Sequence, residues 1–518
     1  MGSRAALLDR VRDEPTWDVV VIGGGATGLG TAVDAASRGY SALLLEADDF
    51  ARGTSSRSTK LVHGGVRYLA QGNFRLVREA LRERAVLLRN APHLVHRLDF
   101  LVPAYSFGAL AYYGLGLKAY DLLAGRSGLG GSRPVGRTGA LRRAPTLEAR
   151  GLRGGIVYAD GQFDDSRFAI ALARTLLDLG GVALNAMAAV GLIKERGRIA
   201  GVQARDTETG EAFRIRARAV VNATGVEADA VRSLDEPGVA PSIDPSRGSH
   251  VILDRDFLPG DAAVMIPRTD DGRVLFAIPW RDRVLLGTTD MPVETATREP
   301  RPSAAEIDYL LAHAGRYFSR KPGYQDIRST FAGLRPLLGK AAAGRTASLS
   351  REHAVSVSGS GLVSIVGGKW TTYRKMGADA VDRAAGVAGL PCRPSMTESL
   401  RLRGWLPGPG EGPFAIYGSD APGLSALLEG HPEWDEPIHP RLADRKVEVV
   451  WAARFELART VEDVLARRTR GLFLDARAAI ESAPVIASLM ADELGRDAAW
   501  EASQVRAFRA LAAGYLPP

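Results

Sequence analysis

The stretch Asp18-Val-Val-Val-Ile-Gly-Gly-Gly-Ala-Thr-Gly-Leu-Gly30 constrains this chain more than any other. Four apolar β-formers run into a glycine cluster, Gly23-x-Gly25-x-x-Gly28, and a helix-forming segment to Arg38 follows at once. After Gly39-Tyr40 a second apolar run, Ala42 to Leu45, ends on Glu46. Strand, tight turn, helix, strand and terminal acid make a dinucleotide-binding unit. Gly23 permits the turn, Gly25 lets a pyrophosphate approach the backbone, and Gly28 lets helix and strand pack closely. The N–H groups at the helix start face the phosphates. Glu46 stands where a carboxylate accepts hydrogen bonds from both ribose hydroxyls, which favours FAD or NAD over a 2′-phosphorylated dinucleotide.

The chain around this unit is long, 518 residues, enough for about two or three domains. No apolar run reaches the roughly 18 to 20 residues needed to span a bilayer. The polar stretch from Met1 to Pro15 has no signal-peptide core and reads as an extension of unknown use. A single cysteine, Cys392, excludes an internal disulfide framework and a cysteine metal cluster, fits a reducing cytoplasm, and is taken as structural. Eight histidines without ligand spacing point to no protein-bound metal. The net charge of +8 admits nucleic acid, an anionic membrane surface or an anionic substrate. No nucleic-acid module accompanies it, and nucleic acid is set aside.

Further motifs return the chain to the same unit. A hydroxyl-rich loop, Thr54-Ser55-Ser56-Arg-Ser58-Thr59-Lys60, follows Glu46 and brackets the cofactor. His63-Gly64-Gly65-Val-Arg67-Tyr68 suggests a backbone pressed against something planar or anionic. Phe74 to Asn90 reads as a basic amphipathic helix. Ala109 to Gly125 is aromatic and apolar, suited to a membrane interface or to packing inside a cap domain. A β-meander from Val182 to Val221 leads to Asn222-Ala-Thr-Gly225, and short strands between Gly248 and Gly287 read as an antiparallel sheet. Gly361 to Arg374 repeats the β-run, glycine and helix order. Helix formers dominate the last hundred or so residues, with Val447 to Arg467 and Ala476 to Leu494 as the clearest helices.

These pieces, among them Lys60-Leu-Val-His-Gly-Gly-Val-Arg-Tyr68, Gly248-Ser-His250, Gly287-Thr-Thr-Asp290, Gly333-Leu-Arg-Pro-Leu337 and Gly367-Gly-Lys-Trp-Thr-Thr-Tyr-Arg374, make the chain resemble the FAD-dependent glycerol-3-phosphate dehydrogenases, within the glycine-oxidase and D-amino-acid-oxidase fold group. Trp370 stands where relatives often carry leucine, a change expected to touch packing rather than chemistry. The resemblance implies an α/β fold: a Rossmann-like FAD-binding domain of the glutathione-reductase/D-amino-acid-oxidase type, an antiparallel β-sheet substrate domain and an all-helical C-terminal domain. The expected boundaries are 16–70, 155–235 and 345–390 for the FAD domain, 71–154 and 236–344 for the substrate cap, and 400–518 for the helical domain.

The activity implied is oxidation of sn-glycerol 3-phosphate to dihydroxyacetone phosphate, with hydride transfer from C2 to flavin N5 and electrons passed to membrane quinone. FAD contacts fall to Gly23, Gly25, Gly28, Glu46, Thr54, Ser55, Ser56, Leu61, His63, Gly225, Gly368, Lys369 and Thr371. Substrate contacts fall to Arg67, Tyr68, His250, Arg335, Arg351 and Lys369, and catalysis to His250, Lys369, Arg335 and Arg67. Arginine suits the phosphate because its planar fork donates two hydrogen bonds. His250, with an ordinary pKa of about 6.5, is the first choice of base, with Lys369 or a water as alternatives. A protein peripheral on the cytoplasmic face of the cell membrane is implied, and a homodimer is compatible with it. The rivals are an oxygen-using glycerol phosphate oxidase, an amine or amino-acid oxidase of the same fold, and a non-enzymatic flavoprotein.

Overall fold

The computed structural model describes residues 3–70, 72–339 and 353–517. Its first sheet grows outward from the glycine-turn strand Trp17–Ile22, which is buried along almost its whole length. A strand covered on both faces must be apolar at consecutive positions, as Val19 to Ile22 are. Ala42–Leu45 and then Val182–Leu184 pair parallel on one side; Ala212–Asn222 and then Val363–Gly367 pair parallel on the other. His353–Val357 closes that edge antiparallel. Ala212–Asn222 changes character midway. Its first half alternates buried and exposed residues, where it pairs with Arg198–Asp206 in the meander; its second half is buried throughout, where it joins the central sheet.

Helices Ala26–Ser37, Asp165–Asp178 and Tyr373–Ala388 cover one face through an alanine-rich core. The other face takes the meander and the N-terminal helix Arg4–Asp13, whose Leu7 and Val11 pack against Trp17 and Val20. The N-terminal extension is therefore a folded part of the nucleotide-binding sheet. Arg4 fastens it, donating to the Asn185 carbonyl at 2.6 Å and to Asp206 at 3.1 Å.

Among the described residues the second sheet has ten strands. Its long pair, Ile243–Asp254 and Ile327–Leu338, runs antiparallel, and the remaining pairs are antiparallel apart from Ala263–Ile266 beside Val95–Ala104. Leu61–Val62, and Gly154–Phe163 beyond its first residue, come from segments assigned above to the FAD domain and pair in this sheet. Helix Ala304–Ala314, started by a Ser303–Glu306 capping box, backs one face. Helix Phe107–Ala124 lies on the other, burying Leu117, Tyr120 and Ala124.

The C-terminal region is helical apart from a two-stranded ribbon, Pro437–His439 with Leu442–Arg445. The expected continuous helix from Val447 to Arg467 is broken. It ends at Phe455, the backbone turns left-handed at Leu457 with φ 56°, and a π-helical turn, Asp463–Arg468, follows. The break has an electrostatic cause. Glu456 is drawn into the core, where its two oxygens take the Arg167 fork at 2.6 and 2.7 Å. Helix Ala476–Leu494 forms over the expected span. Cys392, taken above as structural, is exposed. Among the described residues, no helix is long and apolar enough to cross a membrane, and no group of side chains could hold a metal ion.

Candidate active site

The parallel strands end on one edge, and their first turn residues open a cavity of about 580 Å³ that continues beneath the second sheet. Gly23 has φ 106°, and a Cβ there would lie 2.7 Å from the Ala223 carbonyl oxygen. A Cβ on Gly28 would lie 1.8 Å from the Gly23 carbonyl, so the turn admits only glycine at both positions. Helix Ala26–Ser37 begins at Gly25 with no side-chain cap on its own N-terminus. Ser55 Oγ accepts from Ala26 N–H at 2.9 Å and ties the hydroxyl loop to that helix start.

Glu46 accepts from the backbone N–H of Gly24 at 2.7 Å and of Asp48 at 2.9 Å. Burial nevertheless pushes its carboxyl up to about 7. A half-buried acid facing a cavity with two backbone donors has lone pairs left for hydroxyl donors, which is the donor set of a ribose. The glycine cradle and this acid fit a dinucleotide.

Thr54, Ser55, Leu61, His63, Gly225, Gly368, Lys369 and Thr371 also line the cavity. Two expected cofactor contacts do not. Gly28 works behind the turn, as a packing residue. Ser56 is buried, because the short 3₁₀ turn Thr54–Ser56 sends Thr54 and Ser55 toward the cavity and Ser56 into the protein. Its carbonyl accepts from Lys60 Nζ at 2.7 Å and Arg470 Nη2 at 2.8 Å. Trp370 packs edge-on against Phe163 and Phe168 and donates its indole N–H to the Ser55 carbonyl at 2.8 Å, so it steadies the same loop.

The other end of the cavity is cationic. Arg335, on Ile327–Leu338, stands opposite Ser246 and its guanidinium lies over Gly248, where a Cβ would be 2.3 Å from Arg335 Nη2; the glycine makes the room. The guanidinium lies 3.3 Å from Asp290 and donates to Thr288 Oγ1 and the Thr289 carbonyl, both at 3.1 Å. The ammonium of Lys369 sits 4.0 Å over the ring of Tyr68. His63 N–H donates to Thr371 Oγ1 at 3.2 Å, and Gly64 N–H to the Tyr120 hydroxyl at 2.9 Å, fixing the double-glycine backbone.

His250 lies on the strand beside Arg335. Its ring stacks on Phe331 at 4.7 Å and is only 2% exposed. Nε2 is 3.0 Å from Thr59 Oγ1, and Nδ1 has no hydrogen-bond partner among the described residues. Burial, with Lys60 and Arg335 nearby, holds its pKa well below the ordinary value, so the ring is neutral at pH 7. A neutral imidazole can accept a proton, most readily once a negative charge enters the site.

Arg67 belongs to the short helix Val66–Ala70, but its side chain lies outside the described residues, as does all of Arg351. Reading by sequence missed Thr59 on His250 and the Asp290–Thr288 seat of Arg335. The motif Gly287-Thr-Thr-Asp290 was the available signal for the second.

The comparisons agree with this geometry. Residues 18–374 match the family model described as FAD dependent oxidoreductase, and residues 409–501 match the C-terminal domain of alpha-glycerophosphate oxidase. The mitochondrial glycerol-3-phosphate dehydrogenase of Mus musculus is 38% identical over 529 residues, covering 95% of this chain and 72% of that protein. The Homo sapiens protein of the same name is 38% identical over 96% of this chain and 73% of its own length. A solved glycerol-3-phosphate dehydrogenase of Bacillus halodurans, complexed with FAD, has a TM-score of 0.81 and 29% identity, covering 99% of this chain and 98% of that one. Glycine oxidase from Geobacillus kaustophilus, at TM-score 0.53 and 20% identity, covers 74% of this chain and 98% of its own and shares the fold. A dinucleotide cradle, a cationic pocket beside it and full-length similarity converge: the chain is a flavoprotein with FAD as cofactor, and it belongs to the FAD-dependent glycerol-3-phosphate dehydrogenase and oxidase family.

Proposed function

We propose that the protein oxidises sn-glycerol 3-phosphate to dihydroxyacetone phosphate and delivers the electrons to a membrane quinone. The observation that carries this reading is the seat of Arg335: a guanidinium held in plane by Asp290, Thr288 and Thr289 at the cavity end away from Glu46. A preset fork of this kind suits an anionic group such as a phosphate ester and is wasted on uncharged glycerol or a simple amine. Lys369, Tyr68, Arg67 and Arg351 complete the substrate contacts in this reading. His250 takes the 2-hydroxyl proton on its imidazole, and the dianionic phosphate offsets the positive neighbours that otherwise keep the ring neutral. FAD, when bound, supplies the acceptor for the hydride leaving C2.

Helix Phe107–Ala124 favours a membrane acceptor over oxygen. Phe107, Tyr112, Leu115 and Leu122 are 72%, 64%, 75% and 83% exposed on it, an apolar face beside basic residues that suits the interface of an anionic bilayer. The protein in this reading is peripheral on the inner face of the cell membrane.

The test is anaerobic. Addition of sn-glycerol 3-phosphate should bleach the oxidised-flavin absorbance of the purified protein, while glycerol and D-amino acids leave it unchanged, and reoxidation should be fast with a quinone analogue and slow with oxygen. A flavin-loaded sample that the phosphate ester does not bleach would refute the substrate; rapid reoxidation by oxygen alone would refute the acceptor.

A further inference from the structure

The dinucleotide cavity has two lips, and both are held by the C-terminal region. The first is the loop after Glu46. Asp49, directly after the cavity-lining Glu46, Ala47 and Asp48, is buried and gripped by Arg467 Nε at 2.5 Å and by Arg468 Nη1 and Nη2 at 2.9 and 3.0 Å. Burial opposes ionisation of Asp49, but Arg468 and Arg467 more than offset it and hold the carboxyl well below its usual range. Arg52, farther along, pairs with Glu462 at 3.2 Å. All three partners come from the π-helical turn and its N-cap.

The second lip is the segment 296–301. Arg298 lies 3.2 Å from Glu227 and 3.7 Å from Asp48, bridging the two walls of the cavity mouth. Its carbonyl accepts from Arg57 Nη1 at 3.2 Å, and Glu299 pairs with Arg57 Nη2 at 2.6 Å. Tyr515 locks this corner: its hydroxyl donates to Glu299 at 2.7 Å and accepts from Arg57 Nη2 at 3.2 Å. Backbone meets side chain beside it, where a Cβ on Gly514 would lie 2.2 Å from Arg301 Cζ. The π-helical turn and the tail thus reach the same opening from two sides.

We infer that the C-terminal region is the latch of the dinucleotide cleft, with Arg467, Arg468 and Tyr515 as positioning residues that set how slowly FAD leaves and enters. A mere domain contact has no reason to converge on both borders of one opening. The latch acts on bound FAD whether the reduced substrate is glycerol phosphate or another, so it stands apart from the substrate assignment above.

The test uses the full-length holoenzyme and follows the rise of free-flavin fluorescence after dilution. Tyr515→Phe removes one hydroxyl from the corner and should speed FAD release about tenfold or more, the effect of losing its hydrogen bonds to the charged Glu299 and Arg57. Arg298→Gln, at an exposed position that spares the core, should do the same. Arg454→Gln, which breaks an exposed pair with Glu493 remote from both lips, should release FAD at the parental rate. In Tyr515→Phe the melting temperature of the apoprotein should stay at the parental value, as should KM for the reducing substrate at saturating FAD. Parental release in Tyr515→Phe would overturn the latch, even with Arg298→Gln fast, because the 296–301 lip would then act without the C-terminal region. A fall in apoprotein melting temperature that tracks the faster release would also overturn it, reducing Tyr515 to a stabilising contact.

Discussion

Arg335 shows what a single side chain contributes when its surroundings are built for it. The guanidinium uses Thr288, Thr289 and Asp290 to hold one plane, and Lys cannot reproduce that seat. Arg335→Lys should lower kcat/KM for the phosphate ester on the order of a hundredfold, the equivalent of about 2 to 3 kcal/mol for lost charge-assisted hydrogen bonds. Steady-state kinetics with flavin-saturated enzyme checks this; an unchanged kcat/KM would remove Arg335 from the phosphate. Glu46 makes a pH prediction. Its carboxyl sits near 7 because burial favours the protonated form. Ribose hydroxyls donate to the carboxylate, so FAD binding should lower that pKa and expel a proton. Affinity should then rise with pH, by up to about tenfold per unit, until about pH 7 and level off above it. Calorimetry in two buffers of different ionisation heat reads the proton directly, and Glu46→Gln should abolish the release. At this scale the motifs made Arg335, Glu46, Lys369 and His250 legible. Ser56 and Thr59 were not, because a run of hydroxyls carries no record of which ones a 3₁₀ turn will face inward.

Among the elements, helix Phe107–Ala124 is the least satisfied. It buries Leu117 and Tyr120 against the second sheet and leaves an apolar face uncovered. If that face docks on lipid, Leu115→Glu with Leu122→Glu should abolish sedimentation with anionic vesicles and leave anaerobic flavin reduction by substrate intact. Retained vesicle binding would acquit the helix. The apolar, aromatic character of Ala109 to Gly125 was legible from composition, and the orientation of the helix required the buried Tyr120 to be placed against Gly64. The helix after Val447 illustrates the opposite difficulty. Its local sequence is a good helix throughout, but Glu456 meets Arg167, 289 positions away in sequence, and that pairing outweighs propensity and ends the helix at Phe455. No window around Glu456 contains the reason.

Across the whole molecule, the first sheet was readable because its strands Trp17–Ile22, Ala212–Asn222 and Val363–Gly367 end in glycine or small-residue turns and Ala42–Leu45 ends on the ribose-facing Glu46. The ionic interface between this sheet's helices and the C-terminal region was not. Arg167, Arg174 and Arg468 surround Glu456, and Lys60, Asp165 and Arg470 form a second buried group. Such clusters are invisible in one dimension because each member reads as an ordinary surface charge. Removing one partner strands the others in a dry interior. Glu456→Ala should therefore cost about 3 to 5 kcal/mol, measured by urea denaturation of the holoprotein. A loss near zero would mean that water reaches the cluster.

The order of strands in the first sheet also bears on when the protein can acquire its cofactor. Trp17–Ile22 pairs with Ala212–Asn222, and that strand in turn waits for Val363–Gly367. During synthesis the earliest strand can pair at once with Ala42–Leu45, but its other parallel edge stays unpaired until Ala212–Asn222 has been made, and strands of the second sheet are made in between. The dinucleotide cleft cannot be assembled until residue 367 has emerged. FAD loading is therefore a late event in the life of each molecule, and nascent chains stalled before that point should neither retain flavin nor resist proteolysis between the two sheets.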